Sequence, residues 1–234
     1  MSLLTVVQNV ADETLIAERP ATVIGNNDKF ARQCLSLLKK VGHQLMKRHD
    51  WEALTKTETI TLDGSGSYTI GTDIFTDGDF DRIVAESEWD SSSNKKVKVL
   101  DPKAWGFLTY SAISATGVTT YLRVRGGKVL ISPDTSGDTI DLEYISNFWS
   151  TTSGGTAQAT LAADTDLFLF EEELLELGLA FRLKAARSLP SLADAELFKE
   201  MTDLTKAGDV PNEILGPTAD PLFVVNVPDT GVGG

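Results

Sequence analysis

Histidine, cysteine and grouped carboxylates are the side chains whose chemistry spacing can reveal, and this chain has few of them. The two histidines are His43 and His49, and Cys34 is the one cysteine. Two residues six apart on one helix lie on different sides, and no further His or Cys is near, so a shared metal site is not expected. Cys34 falls on an apolar helical stripe and reads as an inert core thiol, and a single cysteine excludes an intrachain disulfide. Asp77-Gly-Asp-Phe-Asp, with Glu88 at the twelfth position, imitates a calcium loop. Arg82 stands at the sixth position, where the sharp turn needs Gly, so the run reads as an acidic turn entering a strand. Asp63-Gly-Ser-Gly-Ser lacks the Lys and the helix start of a phosphate cradle and reads as a hairpin turn. Lys95, Lys96, Lys98, Arg123, Arg125 and Lys128 are interleaved with Val97, Val99, Tyr121 and Val124. That pattern suits a nucleic-acid backbone or the solvent face of strands, and a net charge of -13 favours the solvent face. Trp51, Trp89, Trp105 and Trp149 sit at element ends and read as packing residues. No catalytic group, cofactor or metal is expected.

The stretch that positions everything else is 170–190, FEEELLELGLAFRLKAARSLP. Leu174, Leu177, Gly178, Phe181 and Ala185 form one helical stripe and Leu175, Leu179, Leu183 and Ala186 a second, which predicts a helix covered on two sides. Acids crowd its start, Arg182, Lys184 and Arg187 its end, and Pro190 stops it. Leu3, Val6, Val7 and Val10 after Ser2 predict a short helix over 2–14. A second long helix runs from a cap at Asn27 or Asp28 to about Trp51, with Phe30, Cys34, Leu37, Val41 and Leu45 on one side. After Pro190, Ser191 caps a further helix whose apolar face is Leu197, Phe198, Met201 and Leu204, ending at Gly208.

From Thr57 the period changes to two. A hairpin is predicted from 57–62 and 68–70, followed by strands over 79–89, 95–100, 121–125, 128–132 and 139–145. Gly126-Gly127 makes a tight turn, and Asp101-Pro begins one short helix. Residues 150–163, rich in Thr, Ser, Gly and Ala, read as a link. The predicted fold is therefore α+β. It is a discontinuous four-helix bundle, 1–56 and 161–208, with an inserted, mostly antiparallel β-domain, 57–160, and an extended C-terminal arm, 209–234. The arm has four prolines, no basic residue, and the acids Asp209, Glu213, Asp220 and Asp229. Its apolar patch, Leu222, Phe223, Val224, Val225 and Val227, has no bundle face of its own, and reads as a strap on the chain's own surface or as a partner-binding segment. The N-terminus lacks a basic n-region, and no apolar run approaches the ~20 residues of a membrane span, so no signal peptide and no membrane contact are expected.

The order of parts carries a resemblance. Trp51-Glu-Ala-Leu, Asp79-Phe-Asp-Arg-Ile, Trp89, Asp101-Pro-Lys-Ala-Trp, and Tyr121-Leu-Arg-Val-Arg-Gly-Gly-Lys-Val-Leu-Ile-Ser-Pro follow one another. Asp141-Leu-Glu-Tyr-Ile-Ser-Asn-Phe-Trp and Glu173-Leu-Leu-Glu-Leu-Gly complete the series. Over 1–208 this resembles the head-to-tail adaptor proteins of short-tailed bacteriophages, also called tail tubular protein A. The resemblance implies a homo-oligomeric ring, dodecameric in that family, docked beneath the portal protein ring with the tail tube or nozzle protein on its other side. It implies a place in the virion neck after assembly in the host bacterial cytoplasm, with double-stranded DNA passing through the lumen and no sequence-specific binding. The family has no catalytic residues to carry over. Two other classes remain open: a different phage neck or tail structural protein, and a carbohydrate-binding β-module of the tail, which predicts exposed aromatics on the β-domain.

Overall fold

The computed structural model describes residues 2–15, 17–110 and 119–209. The chain opens with α1 (Leu3–Thr14) and α2 (Lys29–Arg48), then enters strands β1 (Thr55–Thr61), β2 (Ser67–Thr69), β3 (Phe80–Ile83), β4 (Trp89–Asp90), β5 (Lys95–Lys96) and β6 (Lys98–Val99). Helix α3 (Pro102–Tyr110) is followed by β7 (Tyr121–Arg125), β8 (Lys128–Ser132) and β9 (Thr139–Ser146). Three two-residue strands, β10 (Ser150–Thr151), β11 (Ala157–Gln158) and β12 (Leu167–Phe168), lead to α4 (Glu172–Ala186) and α5 (Leu192–Asp209). The fold is mixed α+β, with five α-helices among the described residues and sheets that are antiparallel except where β6 meets β7.

Local chemistry accounts for the helix ends. Ser2 Oγ accepts from the Thr5 amide and an Asp28 carboxylate oxygen from the Ala31 amide, each satisfying an orphan donor of a first turn. Helix α2 stops at Arg48, short of Trp51, because the Trp51 indole donates to the Leu45 carbonyl at 2.8 Å and so folds the chain back over the last turn. Its buried stripe is Phe30, Cys34, Leu38, Val41 and Leu45; Leu37, expected there, is half-buried beside it. Helix α4 packs against α1, α2 and α5. Leu174, Leu175, Gly178, Leu179 and Leu183 are buried as both stripes require, whereas Phe181 is half-buried and Ala185 and Ala186 are exposed, so the last turn projects past its neighbours. Helix α5 buries only Phe198 and Thr202, and the expected face residues Leu197 and Leu204 are exposed.

The predicted hairpin at Asp63 does not form. β1 pairs over its whole length with β9, and β2 pairs with β8 in a different sheet. Seven residues of partner on β9 outcompete the three that β2 offers. The turn is held away from β1 by Asp134, which accepts from the amides of Gly64 and Gly66 and from the Tyr68 hydroxyl. The far edge of β9 is shared, with β4 opposite Ile140 and Asp141 and β3 opposite Tyr144 to Ser146. Gly126 and Gly127, both at positive φ, make the two-residue turn between β7 and β8. The stretch 150–163, expected as a plain link, contributes β10 and β11 to a small sheet completed by β12.

Two apolar clusters result. One joins the four large helices; the other lies between the β1–β9 and β2–β8–β7 sheets around Ile60, Phe75, Leu122, Ile131 and Leu142. The period-two alternation of β9 serves both: Ile140, Leu142 and Tyr144 face the β cluster, and Ile145, on the opposite face, reaches the helical one. Trp149 follows and lies against Gly42 of α2, where an added Cβ would stand 2.5 Å from the indole ring.

Candidate functional site

The two histidines are apart. His43 lies 6.0 Å from the Trp149 ring, while His49 Nε2 is 3.2 Å from Asp209 and edge-on to Trp51. Cys34 is fully buried, and burial pushes its thiol up to about 12, so it stays protonated and unreactive at neutral pH. The calcium-like run is dispersed by its pairings. Asp79 is buried and accepts from Lys56 Nζ at 2.6 Å, Ser146 Oγ at 2.9 Å and the Tyr144 hydroxyl at 3.1 Å. Burial opposes its ionisation, but these hydrogen bonds and the Lys56 charge outweigh it and hold the carboxyl below its ordinary range. Asp81 pairs with Arg82 and Lys47. Among the described residues, no group of three His, Cys, Asp or Glu could hold a metal ion, and no helix is long and apolar enough to cross a membrane.

The basic strands border a cleft of about 590 Å³ lined by Glu86, Glu88, Lys96, Lys98, Val99 and Val124. Lys96 is paired with Glu86 at 3.2 Å, and Lys95, Lys98, Arg125 and Lys128 are exposed. Glu88 is buried, and this burial, reinforced by the Glu86 charge, pushes its carboxyl above the ordinary value against the opposing pull of Lys96. The folded chain thus keeps the Glu88 proton to higher pH than the unfolded chain. Stability from this group is highest below the ordinary glutamate value of 4.5 and falls as pH rises through the raised one. Glu88→Gln, which keeps the shape without the charge, is expected to stabilise the protein at pH 7 by about 1 kcal/mol. Urea titrations at pH 7 and below pH 4 check this: the gain should vanish in acid, and an equal gain at both pH values would exclude a buried charge as its origin.

Two surfaces stand out that the packing of the described residues leaves uncovered. The first is α3, capped by Asp101 Oδ1 accepting from the Ala104 amide at 2.7 Å. None of its nine residues is buried; Phe107 is 66% and Tyr110 88% exposed. Three residues apart on a helix, the two positions share one face. The second is a groove of about 470 Å³ where the end of α2, the start of α4 and the last turns of α5 meet. Trp51, Phe170 and Leu174 form its floor, and Met201 and Leu204 of α5 one wall. Its polar rim is already engaged. Asp209 accepts from the Glu52 amide at 3.0 Å and meets His49, and Glu171 accepts from the Thr205 hydroxyl at 3.2 Å.

The arm residues singled out in the sequence, Leu222, Phe223, Val224, Val225 and Val227, lie outside the described residues. Sequence reasoning missed Asp79 as the centre of a buried polar cluster and missed the groove altogether. The one available signal for the groove was the apolar face expected on α5, half of which turns out to be exposed. No protein-family model matches the chain, and no curated protein sequence matches it.

Proposed function

We propose that this chain is a structural head-to-tail adaptor of a bacteriophage virion. In this reading the four helices gathered on α4 are a discontinuous bundle, 1–56 with 161–208, and 57–160 is the inserted β-domain. Copies form a homo-oligomeric ring, a dodecamer on the family pattern, between the portal protein ring and the tail tube or nozzle. DNA passes through the lumen, and the net charge of -13 per copy favours passage over adhesion. The arm residues Leu222, Phe223, Val224, Val225 and Val227 dock on the portal or on a neighbouring subunit. The resemblance in the order of motifs motivates the assignment.

The observation that carries it is α3. A helix with no buried residue and two neighbouring aromatics on one face has the anchor spacing of helix-in-groove recognition, and large uncovered apolar surface is what assembled proteins cover. Light-scattering mass after size exclusion tests the reading, first alone and then with the portal ring encoded in the same genome. The expected result is comigration in ring stoichiometry, lost or weakened at least tenfold in Phe107→Asp/Tyr110→Asp with the fold unchanged by circular dichroism. Absence of comigration at low and high salt would overturn portal docking.

A second reading, the carbohydrate-binding β-module, is favoured by the exposure of Trp89 at 38% together with Phe107 and Tyr110. Glycan-array binding that is lost with Trp89→Ala, alongside failure on the portal, would move the assignment there.

A further inference from the structure

The apolar groove has a floor that offers no free polar group. On its rim Asp209 is engaged by the Glu52 amide and His49, and exposed Glu171 shares the Thr205 hydroxyl with the Met201 carbonyl; Trp51, Phe170 and Leu174 beneath are almost fully buried, so an occupant meets chiefly Leu204 and the half-buried Met201 of α5. With two acids on the rim, a negatively charged occupant is disfavoured and an uncharged apolar one fits.

The chain carries such an occupant close at hand. Helix α5 ends at Asp209, which is itself part of the groove wall, so the remaining 210–234 leave from the rim. That stretch is acidic at Glu213, Asp220 and Asp229, but 222–227, Leu-Phe-Val-Val-Asn-Val, is free of charge and apolar at five of its six positions. The twelve residues from 210 to 221 span up to about 40 Å if extended, ample for a return to the point of departure. Closing a loop of that length has a modest entropic cost, and tethering gives the segment an effective concentration on the order of millimolar, far above that of a second copy in dilute solution.

We propose that in the unassembled chain this groove holds the chain's own segment 222–227, with Leu222, Phe223 and Val225 as the side chains that enter it. The groove then masks the same residues that the adaptor reading assigns to partner contact, but the proposal does not depend on that reading, because it concerns the free chain alone.

Disulfide trapping in the full chain tests it. Cys34 is buried and its thiol held protonated, so the native cysteine contributes no background. Leu204→Cys/Val224→Cys places one thiol on the exposed groove wall and one in the segment, and Val99→Cys/Val224→Cys places the first thiol instead on exposed β6. Under diamide, the first pair is expected to close within one chain at least tenfold faster than the second, with a rate unchanged by tenfold dilution. Adding Phe223→Asp should slow it at least tenfold. Equal rates for the two pairs would show that the segment has no preference for the groove and would overturn the proposal. A product only between chains, with a rate that falls on dilution, would overturn the own-chain occupant in favour of a second copy.

Discussion

Lys56→Met is expected to lower folding stability at pH 7 by about 3 kcal/mol, although Lys56 itself is more than a third exposed. The loss comes from the partner it leaves behind. Asp79 is fully buried, and the Lys56 ammonium is the charge that accompanies its carboxylate at 2.6 Å. Ser146 and Tyr144 continue to donate in the variant, but two neutral hydroxyls do not replace a countercharge. Removing Lys56 thus leaves a buried anion that must either stay charged in a poor solvent or take up a proton at neutral pH. Asp79→Asn removes the anion instead, keeps an acceptor for the hydroxyls and lets Lys56 turn to water, so its expected loss is smaller, about 1 to 2 kcal/mol.

The pH dependence gives the sign. In the wild type the folded pKa of Asp79 is below its ordinary value of 3.8, so the stabilisation is present above that value and is lost as pH falls through the folded one. In Lys56→Met the lowering influence of the lysine is gone and burial, the largest single influence, is opposed only by the Ser146 and Tyr144 hydrogen bonds, so the group titrates higher than in the wild type. The variant should therefore regain ground on the wild type as the medium is acidified. Chemical denaturation at pH 7 and pH 4 measures both statements. The combination Lys56→Met/Asp79→Asn should be more stable than Lys56→Met alone, a coupling that a double-mutant cycle reads directly. A single-variant loss under about 0.5 kcal/mol would mean that the hydroxyls and solvent suffice for Asp79.

That cluster illustrates which parts of this molecule the sequence made legible. Helix α1 and its Ser2 cap, a cap of α2 at Asn27 or Asp28, and the central place of α4 follow from a period of 3.6 and from local side-chain bonds, all within a few residues of one another. The strand positions at Tyr121, Lys128 and Thr139 were equally local. Pairing is another matter. Thr55 to Thr61 meets Thr139 to Ile145 from far along the chain, and nothing in the alternation of β1 distinguishes that partner from the adjacent β2. Asp79 looked like one member of an acidic run because Lys56, Tyr144 and Ser146 come to it only through the registers of β1 and β3 on β9. The groove draws on Trp51, Phe170 and Met201, three separate stretches, so no spacing rule reaches it. The apolar face expected on α5 was a sound observation with the wrong consequence: Leu204 is apolar and yet not covered by the described residues.

Gly42→Ala is expected to destabilise the protein by about 2 kcal/mol, against the sign that helix propensity alone would give. In an exposed helix interior, alanine is better than glycine by about 1 kcal/mol. Gly106 of α3, where an added Cβ meets nothing within 4 Å, is the internal control, and Gly106→Ala should gain up to that amount. At Gly42 the added Cβ would stand 2.5 Å from Cε3 and Cζ3 of Trp149 and 2.8 Å from Cδ2. The indole has little freedom to withdraw. It is fully buried, its Nε1 donates to the Ala159 carbonyl at 2.9 Å, and its ring is stacked on Phe168 at 5.9 Å. Overpacking a rigid ring costs about 1 to 3 kcal/mol or more, which outweighs the propensity gain. Thermal unfolding of the two alanine variants should move in opposite directions from the wild type. If both rise, Trp149 can yield, and the stretch after β9 is not locked to α2 at this point. If Gly42→Ala falls as expected, Trp149 is a rigid seam between the helical core and the strands. A shift imposed on one part would then be felt by the other.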